Sequence, residues 1–266
     1  MADSPSAESL PFVRRERDER GVVRLTLARP HSFNALSEGM LVALQGELDA
    51  VAIDERARVV VVAAEGNAFC AGHDLKQMRA EPSQTYYEAL FAQCARVMLT
   101  IQRLPVPVIA RVQGIATAAG CQLVAACDLA VAASTARFAV SGVNLGLFCS
   151  SPSVALSRNL QRKAAFEMLV TGEFISAEEA KARGLVNRVA SAEALDAEVE
   201  SLVAAIVAKP RVAIAMGKDL FYRQLEVGVE AAYDDAGRTM ACNMMDGTAL
   251  EGVQAFIDKR KPGWAG

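Results

Sequence analysis

Asn67-Ala68-Phe69-Cys70-Ala71-Gly72-His73-Asp74-Leu75 and, further on, Gly114-Ile115-Ala116-Thr117-Ala118-Ala119-Gly120-Cys121-Gln122 each follow an apolar run of strand length and turn abruptly to small residues. Small side chains let a ligand approach the backbone closely, and a helix beginning near Ala119 aims its unpaired N–H groups at whatever lies ahead of it. Two backbone donors held about 2.7 to 3.1 Å from a carbonyl oxygen stabilise the negative charge that develops there, and losing one such donor costs roughly 10² to 10³ in rate. The same small residues also suit close packing of a helix on a sheet, so these residues by themselves leave both readings open.

Outward from these segments the chain alternates strands and helices. Residues 22–27 alternate as a short strand that Arg29-Pro30 closes, and Ser37 caps a helix with the apolar stripe Leu41, Leu44, Leu48 and Val51. Residues 59–63, 108–112 and 129–133 are nearly continuous apolar runs, the pattern of strands covered on both faces. A helix is predicted over 85–102, with Leu90, Phe91, Cys94, Val97, Met98 and Ile101 on one side. The order strand, strand, helix recurs without a fixed-period sequence repeat. After Pro152 the pattern is mostly helical, and Thr248 with Glu251 reads as a capping box opening the last helix. The expected division is a loose tail over 1–20, an α/β core over 21–208 and a helical oligomerisation region over 209–266. The amphipathic helices of that last region have little sheet to cover them.

Composition narrows the function. The 266 residues are 52% hydrophobic, and 28 Lys and Arg face 31 Asp and Glu for a net charge of -3. Without a basic patch there is no electrostatic footprint for nucleic acid or an anionic membrane. No apolar run approaches the roughly 20 residues that span a bilayer. Residues 1–20 mix acidic and basic side chains with no apolar leader, so the expected location is cytoplasmic. The six scattered cysteines contain no C-x-x-C pair and read as reduced, mostly buried thiols. The two histidines and the scattered carboxylates show no metal-ligand spacing, so no metal is expected.

Taken in order, Arg29-Pro30, Asn34-Ala35-Leu36, the Phe69 to Leu75 segment, Pro107-Val108-Ile109-Ala110, Gly120-Cys121-Gln122-Leu123 with Cys127-Asp128, and Gly184-Leu185-Val186 resemble the crotonase superfamily, the enoyl-CoA hydratase/isomerase family. The resemblance runs from Val22 to the end of the chain. It implies an α/β crotonase fold of repeated ββα turns with a C-terminal helical trimerisation region, assembled as a homotrimer or a dimer of trimers. It also implies lyase or isomerase chemistry on a coenzyme A thioester, with no further cofactor. Carried over by position, the backbone N–H groups of His73 and Ala119 form an oxyanion hole for the thioester carbonyl. Ala35, Ala71 and Leu75 line the pantetheine and adenine channel, with Gly72, Asp74 and Gly120 in the same turns. His31 stands where the family often has a polar CoA contact, and Cys149 where its acyl pocket continues. Lys259 or Lys261 would meet phosphate, and Trp264 would lie near the adenine.

Two positions depart from the pattern. Gln122 and Gly142 stand where hydratases of the family carry their acid and base glutamates. Hydration of a 2-enoyl thioester needs an activated water and a delivered proton, each worth about 10² to 10⁴ in rate. The expectation is an acyl-CoA-binding protein acting on an enoyl-CoA or 3-oxoacyl-CoA thioester, with weak hydration that carboxylates at both positions would raise. Other enolate chemistry, such as decarboxylation, and a non-catalytic acyl-CoA-binding module stand beside it.

Overall fold

The computed structural model describes residues 11–80 and 82–264. β1 (Val13–Arg17) and β2 (Val22–Leu27) form an antiparallel pair with Val13 opposite Leu27. α1 (Glu38–Ala52) follows, capped by the Ser37 hydroxyl, which accepts the Met40 N–H, and its predicted stripe is buried. β3 (Val59–Ala64) runs parallel to β2 with every residue buried. Then come β4 (Ala68–Cys70), α2 (Leu75–Ala80), α3 (Gln84–Arg103), β5 (Val108–Val112), β6 (Ile115–Thr117), α4 (Ala119–Ala126), β7 (Leu129–Ala133) and β8 (Arg137–Ala139). The remainder is α5 (Ser150–Asn159), α6 (Arg162–Thr171), β9 (Ile175–Ser176), α7 (Ala177–Ala182), β10 (Arg188–Ala190), α8 (Leu195–Val207), α9 (Arg211–Gln224), α10 (Val229–Met244) and α11 (Gly247–Ile257).

Each ββα turn gives one strand to each of two sheets. The larger has the order β1-β2-β3-β5-β7-β10 and the smaller β4-β6-β8-β9. The unbroken apolar runs have their reason here. On one face of the larger sheet Val60, Val62, Val108 and Ala110 join the main core, and on the other Val59, Val61, Ile109 and Val131 pack against Leu195, Val199 and Val203 of α8. Burying a Val or Leu side chain stabilises by about 1.5 to 3 kcal/mol, so both faces favour aliphatic residues.

Two local expectations change. Residues 13–17, assigned to a loose tail, form an edge strand whose Arg15 and Arg17 both reach Asp54, at 3.2 and 2.8 Å; residues 1–10 lie outside the described residues. The cap of α11 is Asp246, whose carboxylate accepts the Thr248 N–H at 2.8 Å, while Glu251 is taken instead by Arg260 and the Gly263 N–H.

The C-terminal helices join the core through a buried junction. Lys218 of α9 donates to the carbonyls of Ile101 and Val106 at 2.8 and 2.9 Å and to Asp128 at 2.6 Å. Asp128 also accepts the Tyr222 hydroxyl at 2.7 Å and the Val108 N–H at 2.6 Å. Burial pushes the Lys218 pKa down against the opposing pull of Asp128. Phe221, Tyr233, Met240 and Phe256, by contrast, are exposed on α9, α10 and α11.

Candidate functional site

The site is built where β4 and β6, neighbours in the smaller sheet, both run out into small residues. β4 leaves Cys70 and turns through Gly72 at φ +90°, and β6 leaves Thr117 and turns through Ala118 at φ +50°, ψ -122°. A non-glycine residue held there stores about 1 to 3 kcal/mol, and the surroundings must enforce it. Here the Ala118 N–H is held by the Ala139 carbonyl at 3.0 Å. The two turns touch: a methyl on Gly72 would stand 2.9 Å from the Ala118 Cβ and 3.2 Å from the Ala119 nitrogen. Behind them Gly120 backs onto the Cys70 carbonyl, so closely that a Cβ would fall 2.1 Å from its oxygen. Among the described residues no acceptor takes the N–H of His73 or of Ala119, the first residue of α4. Two free donors on adjoining turns are the arrangement able to hold an oxyanion.

The His73 side chain faces elsewhere. Its Nδ1 lies 3.2 Å from the Leu36 carbonyl oxygen and its ring tilts over Phe91 at 5.5 Å. Burial pushes its pKa down, with the Leu36 carbonyl opposing, so the neutral ring acts as a brace. The same strip is tied by Leu36 N–H to the Gly72 carbonyl at 2.7 Å and Ala71 N–H to the Phe33 carbonyl at 3.0 Å. Asp74 braces too: its carboxylate accepts the Lys76 and Gln77 N–H groups at 2.9 and 3.2 Å, opening α2. Asn34, quoted above only within a matching stretch, is fully buried and staples the neighbouring loops. Its Oδ1 accepts the Arg29 N–H and its Nδ2 donates to the carbonyls of Glu65 and Ala68, each at 2.9 Å. Beside this strip His31, Ala35, Asp74 and Gln77 line a cleft of about 360 Å³, and Leu75 stands half exposed.

Gln122 sits one turn along α4 from Ala119, 4% exposed, with its Oε1 buried and without a hydrogen-bond donor among the described residues. Gly142 lies in a 3-10 turn, where a Cβ would come 2.5 Å from the Leu147 carbonyl oxygen and 2.7 Å from the Cys149 sulfur. The expectation that a carboxylate could be restored at 142 therefore fails on space. Burial raises the Cys149 thiol pKa, with the Gly142 N–H opposing, and pushes Cys121 up to about 12, so neither is an activated nucleophile. Thr117 Oγ1 and Ser141 Oγ meet at 3.0 Å, a pairing without a local sequence signal because the two residues lie on different ββα turns.

The family model described as enoyl-CoA hydratase/isomerase matches residues 17–266. The chain belongs to the enoyl-CoA hydratase/isomerase family. An enoyl-CoA hydratase crystal structure from Mycobacterium smegmatis is 69% identical with a TM-score of 0.95, covering 97% of this chain and 100% of that one. The human enoyl-CoA hydratase domain-containing protein 3 structure is 42% identical with a TM-score of 0.92, over 95% of this chain and 100% of that one. The Xenopus laevis protein named enoyl-CoA hydratase domain-containing protein 3, mitochondrial, is 46% identical over 248 residues, 93% of this chain and 84% of that protein. The mitochondrial designation, shared by the mouse, rat and human relatives, overturns the cytoplasmic location expected above.

The crotonase fold of this family does not bring every expected residue to the cleft. Lys259 and Lys261 are exposed in the turn beyond α11, and Trp264 folds back on that helix, where a Cβ on Gly252 would meet its ring at 2.8 Å. Within one chain none of the three lines the cleft beside His31 and Ala35.

Proposed function

We propose that this family member binds an acyl-CoA thioester with its carbonyl oxygen between the N–H groups of His73 and Ala119, and stabilises the enolate that forms from it. The observation that carries the reading is the contact of the two turns, Gly72 against Ala119, with the N–H groups of His73 and Ala119 meeting no acceptor among the described residues. The cleft lined by His31, Ala35 and Asp74 takes the coenzyme. Polarising the carbonyl acidifies the adjacent carbon, and such donors in a dry site supply most of the stabilisation by themselves. Proton transfer is the weak part: neither Gln122 nor Gly142 titrates, so hydration of crotonyl-CoA is slow. Decarboxylation is favoured by that same neutrality, because carbon dioxide leaves with its bonding electrons passing to the enolate and no side-chain base takes part. The exposed apolar side chains of α10 and α11 are covered by self-association, as a trimer or a pair of trimers.

Calorimetry with acetoacetyl-CoA tests the reading. Micromolar binding, about -8 kcal/mol, with competition by CoA is expected. Absence of heat together with absence of competition overturns it.

A further inference from the structure

The Lys218 junction stands at the far end of the helix that carries the Ala119 N–H. Asp128 lies two residues past the end of α4, and α9 grips it from outside: its Oδ2 accepts Lys218 and the Val108 N–H, and its Oδ1 accepts the Tyr222 hydroxyl. Of the described residues of α9, Lys218 alone is buried, which makes it that helix's deepest hold on the core. Every residue of α4 is buried too, and eight residues at 1.5 Å each make a rod about 12 Å long between the Ala119 donor and this anchor. Close-packed interiors have low compressibility and transmit strain, so a displacement at one end of such a rod arrives at the other. The near end has no side-chain cap to resist it. Ala118, the N-cap, is held at φ +50° through its N–H to the Ala139 carbonyl.

We propose that Lys218 and Tyr222 are positioning residues for the oxyanion hole: through Asp128 they set where α4, and with it the Ala119 N–H, stands relative to the His73 N–H. The proposal rests on the thioester reading above, and it makes the C-terminal helices part of the alignment of the site. A chain whose α9 has come away still takes the coenzyme in the cleft beside His31 and fails to polarise the carbonyl.

The test reads polarisation apart from coenzyme binding, on the full-length protein, on Tyr222→Phe and Lys218→Met, and on Val199→Ala, which loosens α8 on the opposite face of the larger sheet. Calorimetry compares CoA, butyryl-CoA and acetoacetyl-CoA, and infrared difference spectra follow the carbonyl band of bound butyryl-CoA isotope-labelled at that carbon. In the wild type the band lies below its position in water. In Tyr222→Phe it moves back toward that position and the affinity for acetoacetyl-CoA falls about tenfold, as much as one hydrogen bond is worth. In Lys218→Met the fall is about 10², the cost of a misplacement near 1 Å. The affinity for CoA holds in both, and Val199→Ala leaves band and affinities as in the wild type although it melts earlier. A band that stays in place in both junction variants, or affinities for all three ligands that fall together, overturns the proposal and leaves the thioester reading standing. So does a band that moves as far in Val199→Ala. If Lys218→Met does not fold, Tyr222→Phe decides alone. If the wild-type band is not lowered, the thioester reading itself falls.

Discussion

The Lys218 junction and the Gln122 site are both buried and polar, yet they are opposites. Every donor of the Lys218 ammonium has an acceptor, and Asp128 in turn takes Tyr222 and Val108. Gln122 is as deeply buried, and its carbonyl has no donor among the described residues. Burial alone therefore does not make a polar side chain a joint. What separates them is whether the protein completes the hydrogen bonds itself.

The largest test of this contrast is Lys218→Met. It strands the Asp128 carboxylate in the interior, and urea denaturation should register a loss of about 3 to 5 kcal/mol. A loss below about 1 kcal/mol would rank the junction with surface ion pairs and erase the contrast. Gly142→Glu comes next. Its Cβ meets the Leu147 carbonyl and the Cys149 sulfur, so a destabilisation of about 1 to 3 kcal/mol is expected with no gain in crotonyl-CoA hydration. Turnover of tens per second in that variant would show that the wall yields and that the site does accept a carboxylate.

Gln122→Glu sharpens the comparison through pH. Burial without a partner raises the carboxyl pKa in the folded state above the unfolded value of about 4.3. Between those two values the folded protein keeps a proton that the unfolded chain has released. Stability relative to wild type should therefore fall as pH rises above about 4.3, by about 1.4 kcal/mol for each unit of difference. Melting curves from pH 4 to 8 measure it, and a pH-independent difference would mean that the carboxylate has found a donor. The smallest effect is Gln122→Leu, which removes the unmatched carbonyl and should raise stability by up to about 1 kcal/mol. A lower melting temperature would mean that the free protein already satisfies the amide.

The larger sheet was legible because double-sided burial leaves unbroken aliphatic runs, and the site turns because small residues cluster after them. β1 was not. Val13-Arg14-Arg15-Glu16-Arg17 is one buried valine followed by charged residues, and its strand character comes from pairing with β2 and from Asp54 gathering two arginines. The cap of α11 was misplaced by two residues because Thr248 and Glu251 have the right spacing, while Arg260 competes for Glu251 from nine residues away. The braces made by the His73 ring and Asn34 reach Leu36, Glu65 and Ala68, each more than 30 residues distant in the chain, and no local pattern encodes them. The state of Gln122 was out of reach for a different reason. An unmet hydrogen bond is a property of everything around a residue, and a sequence names only the residue.

The parallel ladder of the smaller sheet has a consequence for how the protein is made. Cys70 pairs with Ala116 and Thr117 with Ala139, each across an intervening stretch of helix or strand. Parallel neighbours of this kind pay their loop-closure entropy before any contact returns it, which makes them slow to form. A nascent chain that has emerged only as far as β5 holds one of the two free N–H groups and lacks Ala139, which fixes the turn carrying the other. The growing polypeptide thus lacks the paired donors until three successive turns have stacked. From then on, any ligand that needs both donors favours the finished chain over its incomplete forms by mass action.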